Sequence, residues 1–177
     1  MDSVDKNALI DFTARWLSQF EYSPQSEELH AMSSPCILKT DQLTVFWRPF
    51  LLNPPRDLTV VEKIVGITLQ PNAHVFYGTQ YAGNMSAKFA DINLTLIQAW
   101  NDDDFSNLEQ HLIAHLSQQK RLKRFPTIFI ATTDEDTTII ALNNLTNQIV
   151  KEDLITGQII TLADDLMSFL DKLIVRN

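Results

Sequence analysis

The strongest constraint in this chain is a helix written between two opposite charges. Asp102, Asp103 and Asp104 open a segment whose apolar residues are Phe105, Leu108, Leu112 and Leu116, with Leu122 as a further apolar position. That spacing puts them on one face of an α-helix. The segment closes with "KRLKR" (residues 120–124), shortly before Pro126. Acid at the start and base at the end both suit the helix dipole. Behind the helix come "TIFIAT" (127–132), "TTIIAL" (137–142) and "NQIVKE" (147–152), separated only by the turns "DED" and "NNLT". Strands in direct succession favour antiparallel pairing, so the chain reads as α+β rather than as a doubly wound sheet. The expected architecture is one compact domain, residues 1–177, with a mostly antiparallel or mixed sheet flanked by helices.

The remaining elements follow from periodicity. Val4, Ala8, Phe12, Trp16 and Phe20 recur every fourth residue and predict a helix over 4–20. Residues 23–43 read as irregular. "LTVFW" (43–47) is rich in β-formers and predicts a strand. A Pro-rich loop follows. Asp57 can cap a short helix, "LTVVEKIVG", that ends near Gly66. "AHVFYG" (73–78) and "INLTLIQAW" (92–100) read as strands, the second offering Ile92, Leu94, Leu96 and Ala99 to the core. The last helix is expected over 163–174, with Thr161 as cap and Leu166, Phe169, Leu170 and Leu173 facing inwards.

Charge and cysteine usage narrow the function classes. Lys plus Arg number 14 against 22 Asp plus Glu, a formal charge of −8. Such a surface repels nucleic-acid phosphates and favours a basic partner. Cys36 stands alone, so no internal disulfide is possible, which fits a reducing cytosol. The polar start "MDSVDKNALIDF" is no signal peptide. No apolar run approaches the length of a membrane span.

The motif search for chemistry is largely negative. His111 and His115 in "HLIAH" have zinc-ligand spacing, but Leu112 stands where a zincin needs Glu. They read as exposed or half-buried helix histidines. Gly66, Gly78, Gly83 and Gly157 form neither a GxGxxG nor a phosphate loop. Cys36, after Pro35, has no base beside it and reads as a small buried residue. Ser33 and Ser34 lack a nucleophile elbow. No metal and no cofactor is expected. The basic run 120–124 serves the helix C-terminus, with contact to nucleic acid or anionic lipid as the alternative. One aspartate suffices to cap a helix, so three in succession leave charge for another task.

Several longer motifs carry a resemblance. "DFTARW" (11–16), "SEEL" (26–29), "SPCI" (34–37), "QPNAHVFYGTQYAGNM" (70–85), "DINLTLIQAWNDDDF" (91–105) and "QKRLKRFPTIFIAT" (119–132) occur in order. Together they resemble the Syd family, the SecY-interacting proteins, within the wider SUKH superfamily. After Thr132 the likeness is looser. The resemblance implies a concave acidic face and no catalytic activity. It also implies a cytosolic monomer held peripherally on the cytoplasmic side of the inner membrane through the SecY translocon subunit. Basic cytosolic loops of membrane proteins suit an acidic groove. The partner-binding residues expected on this reading are Glu62, Tyr77, Gln80, Tyr81, Asn84, Phe89, Asp91, Asp102, Asp103 and Asp104. Tyr77, Tyr81 and Phe89 would offer contact faces, Gln80 and Asn84 hydrogen bonds, and the acids charge. Tyr77 and Phe89 can equally be core residues. Two other readings remain open: a SUKH-like immunity protein that neutralises a nuclease toxin, and a hydrolase that uses Asp91 and Asp103 as paired carboxylates.

Overall fold

The computed structural model describes residues 3–176, with the side chains of residues 3–5 outside the description. The place of Val4 on the first helical stripe therefore lies outside the described residues. The chain runs α1 (Ser3–Leu17), β1 (Gln25–Ser26), β2 (Ile37–Asp41), β3 (Thr44–Trp47), β4 (Phe50–Leu51), α2 (Thr59–Val65), α3 (Pro71–Gly78), β5 (Gln80–Tyr81), β6 (Met85–Phe89) and β7 (Ile92–Leu96). It continues through α4 (Asp102–Arg121), β8 (Thr127–Thr133), β9 (Thr138–Asn143), β10 (Ile149–Asp153), β11 (Ile159–Ala163), α5 (Leu166–Lys172) and β12 (Ile174–Val175). This is an α+β fold in one compact domain.

Its centre is a sheet of seven strands in the order β11-β10-β9-β8-β7-β6-β12. Every pairing in it is antiparallel. Five of its six neighbours are also neighbours in sequence or separated only by α4, as short connections favour. The exception is β12, which brings the C-terminal segment back beside β6, with Ile174 opposite Lys88. A small sheet, β1-β3-β2, and the pair β4-β5 sit apart from it.

The helices bury the residues that periodicity picks out. Ala8, Phe12 and Trp16 of α1 are buried, and Phe20 packs against the core just beyond the helix end. On α4 the buried apolar residues are Phe105, Leu108, Leu112 and Leu116. Leu122, expected to point inwards, is 44% exposed because the helix has already ended. Fully burying a Leu or Phe contributes about 1.5–3 kcal/mol, so this stripe anchors α4.

Four expectations are corrected. Residues 73–78 form α3 and not a strand. Pro71 occupies the first helical turn, where its fixed φ and missing N–H suit a helix start. The helix is then buried nearly all round, at Asn72, Ala73, Val75, Phe76, Tyr77 and Gly78. A helix apolar on every side has no amphipathic period and imitates a buried strand. The last helix is shorter than expected, because residues 159–163 form β11. Its cap is Asp165, whose carboxylate accepts from the Ser168 N–H at 2.7 Å, and not Thr161. The strand predicted over 92–100 ends at Leu96, although Ala99 and Trp100 remain buried. The stretch 23–43 holds two short strands, β1 and β2.

One polar network is largely buried beneath a shallow surface hollow. Glu152 is 1% exposed. Its carboxylate accepts from Gln119 Nε2 at 2.9 Å and from the Thr127 hydroxyl at 2.6 Å. Gln119 Oε1 in turn accepts from the Thr127 N–H at 2.8 Å. His115 Nε2 sits 3.1 Å from the same hydroxyl. These bonds satisfy the buried groups and lock the end of α4 to β8 and β10. Burial pushes the His115 imidazole below its usual 6.5, against the pull of Glu152. The folded protein therefore resists His115 protonation more than the unfolded chain does. Stability is fully present above 6.5 and declines as pH falls from there towards the depressed value. In His115→Gln, the loss of thermal midpoint between about pH 7 and about pH 5 should be smaller than in the wild type, as a pH series of calorimetric melts would show.

Candidate partner-docking cleft

Two neighbouring hollows open beside the start of α4. The first, about 470 Å³, is walled by Trp16, Phe20, Glu28, Met32, Trp47, Gly83, Asn84, Trp100 and Asp104, among others. The second, about 640 Å³, is lined by Ser33, Ser34, Pro35, Phe50, Leu52, Tyr81, Asn101, Asp102 and Asp103. No lysine or arginine lines either one among the described residues. Glu28, Asp102, Asp103 and Asp104 all do.

The ridge between the hollows is a hydrogen-bonded seam. Trp100 Nε1 donates to Met32 O at 3.0 Å, and Asn101 Nδ2 donates to Ser33 O at 2.7 Å. The Ser34 hydroxyl donates to Trp100 O at 2.5 Å. These bonds tie an irregular loop to the rigid entry of α4.

Indole rings form the floor of the first hollow. All three tryptophans of the chain meet there. Trp16 stacks on Trp47 with centroids 5.7 Å apart, and Trp47 meets Trp100 edge-on at 5.8 Å. The three are buried, yet all border the opening. Gly83 lets the floor close: a Cβ there would stand 2.6 Å from the Trp47 ring.

The three aspartates divide their work. Asn101 is the actual cap of α4, its side chain accepting from the Asp104 N–H at 2.7 Å. Asp104 reaches back and accepts from the Trp100 N–H, also at 2.7 Å. This reciprocal pair satisfies two backbone donors in the manner of a capping box. Asp102 is bound by Arg56 at 2.8 Å and by the Tyr81 hydroxyl. That hydroxyl and the guanidinium hold the Asp102 carboxyl below the usual range, against slight desolvation. Burial works against the Arg56 charge, but Tyr81, Asp102 and Glu109 outweigh it and raise its pKa. Burial, with Asp102 adding to it, raises the Tyr81 phenol although Arg56 opposes. Asp103 remains exposed, with no partner among the described residues.

The expected site residues therefore separate. Tyr81, Asn84, Asp102, Asp103 and Asp104 come together at the hollows. Asn84 also holds the Gln98 N–H at 3.1 Å. The other residues lie elsewhere. Tyr77 is fully buried, its hydroxyl donating to Phe129 O at 2.6 Å. Gln80 is buried too and donates to Thr13 Oγ1 and Gln98 Oε1 at 3.0 and 3.2 Å. Glu62 accepts from the Leu69 N–H at 2.7 Å and so fixes the connection between α2 and α3. Phe89 stacks on Phe169 at 5.1 Å. Asp91 sits in the β6–β7 turn and lines neither hollow, so it does not share a cavity with Asp103. Cys36 is buried, and burial raises its thiol pKa. Sequence reasoning missed Glu28 and the meeting of Trp16, Trp47 and Trp100. The available signal was the tryptophans themselves, one of which had been placed only on a helix stripe.

Comparison with known proteins identifies the family. The family model described as Syd protein (SUKH-2) matches residues 6–174. The chain belongs to the Syd family. Relatives named Protein Syd, from Shigella flexneri, Escherichia coli O1:K1 / APEC and Escherichia coli K12 / DH10B, are each 44% identical over 98% of both chains. The Syd match therefore includes the C-terminal third, where the motifs alone were looser.

Two changes probe the cleft. Gly83→Ala should displace the Trp47 ring, destabilise the fold by about 1–3 kcal/mol and alter the near-ultraviolet circular dichroism. Tyr81→Phe should cost about 1 kcal/mol in urea unfolding while leaving the indole signals intact.

Proposed function

We propose that this Syd-family chain is a non-enzymatic binding protein that recognises basic cytosolic segments of the SecY translocon subunit. The observation that carries this reading is the pair of hollows lined, among the described residues, by four carboxylates and no lysine or arginine. A basic polypeptide is the chemistry that complements them. On this reading the chain works as a single-domain monomer on the cytoplasmic side of the inner membrane, attaches through SecY, and monitors translocon assembly.

The division of labour among the acids refines the site. Asp102 and Asp104 already hold the protein's own groups, so the charge free for a partner comes first from Asp103 and Glu28. Asn84 and the edges of the indoles supply contact area, while Tyr81, buried and bonded to Asp102, shapes the wall. Exposed pairs contribute only about 0.2–1 kcal/mol each, so the acids orient a partner more than they hold it, and affinity falls as salt rises.

Glu28→Lys combined with Asp103→Lys should weaken binding to a SecY cytosolic-loop peptide by about tenfold at low salt, read by fluorescence anisotropy. Asp91→Lys, remote from the hollows, should leave binding unchanged. Equal binding by the wild type and the double variant would reject the site. Capture of a secreted nuclease toxin, with no affinity for SecY, would replace this reading with that of an immunity protein.

A further inference from the structure

The far end of α4 has a character unlike the rest of this acidic molecule. Lys120, Arg121 and Lys123 are exposed, and none forms an ion pair among the described residues. Four large apolar side chains are exposed around them: Leu122 at 44%, Phe125 at 59%, Leu154 at 37% and Ile155 at 70%.

These residues come together because Arg124 gathers them. Its guanidinium donates to Leu154 O at 2.8 Å and to Ile155 O at 2.6 Å. The β10–β11 turn is thereby fastened beside the helix end, and Leu122 and Leu154 line one shallow hollow. Gly157 makes the approach possible, since a Cβ there would stand 2.6 Å from Arg124 Nε. The turn itself is stiff. Asp153 Oδ1 accepts from the Ile155 and Thr156 N–H groups at 2.8 and 2.9 Å. Ile155 is therefore held outwards on a rigid tip.

We propose that this patch docks directly on a bilayer surface containing anionic phospholipid. Cationic side chains interleaved with exposed apolar ones match a headgroup layer in both charge and depth. A nucleic acid would engage the lysines and arginines and leave Phe125 and Ile155 in water. The net charge of −8 does not forbid the contact. At physiological salt a charge is screened beyond about 8 Å, whereas the 20 residues of α4 place Asp102–Arg121 at opposite ends of a rod about 30 Å long. The contact is additional to binding SecY and needs no SecY to test.

The test is flotation of the purified protein with protein-free vesicles. Binding is expected to phosphatidylglycerol–phosphatidylethanolamine vesicles and not to phosphatidylcholine vesicles. Lys120→Gln and Lys123→Gln should each weaken it about fivefold, as expected for a surface charge near an anionic leaflet. Phe125→Ser and Ile155→Ser should also weaken it, and both residues are exposed enough for the fold to tolerate the change, checked by thermal melts. No binding to the anionic vesicles would overturn the proposal. So would binding that ignores the apolar substitutions, or equal capture by a DNA oligonucleotide, since either reduces the patch to unspecific charge.

Discussion

Arg56 is the tie on which the working side of this molecule depends. Its backbone N–H reaches Gly78 O at 3.0 Å, at the end of α3. Its guanidinium holds Tyr81 in β5 and Asp102 at the start of α4, and it lies 4.1 Å above the centre of the Phe105 ring. One residue, through its backbone and its side chain, thus joins a proline-rich loop, two helices and a strand. The join demands glycine at position 78, where a Cβ would fall 1.8 Å from Arg56 O. A guanidinium suits the task, because its planar fork can donate to two partners and still lie flat on an aromatic face.

The consequence for recognition is that charge at α4 is partly spent before any partner arrives. Asp102 neutralises Arg56, and Asp104 closes the cap with Asn101. A surface of net charge −8 can therefore present fewer free carboxylates in its cleft than a count of acids suggests. For the proposed binding, steering by the whole field and holding by the aromatic walls become separate jobs, as in many interfaces whose rim charges set the on-rate.

Elements with a clean period were legible in the sequence. The α4 stripe and the α5 residues Leu166, Phe169, Leu170 and Leu173 were found because one face is buried and the other wet. The antiparallel run β8-β9-β10 was found because short turns leave little topological choice. By contrast, α3 lost its period to burial on all sides, and short β12 is defined by a partner almost ninety residues away, Lys88. The site was half legible for a related reason. Tyr81 and Asn84 stand in the 70–85 motif and the aspartates in "NDDDF", so two local signals point to residues that line the hollows. Trp16, Trp47 and Trp100 converge from three distant segments, and Glu28 sits on a loop without periodicity. Tyr77 and Gln80 belong to the same 70–85 motif as Tyr81 and Asn84, but their side chains turn into the core.

The two ends of α4 have a further implication for how the molecule travels. Aspartates head the helix and lysines and arginines finish it, so a permanent electric dipole runs along one stiff axis. Near any negatively charged sheet of matter such a body experiences a torque. It turns its cationic tail towards the sheet and carries Asp102, Asp103 and Asp104 at the end facing away, before anything touches. Orientation is in this way settled during approach, by physics that acts over a few ångströms of water.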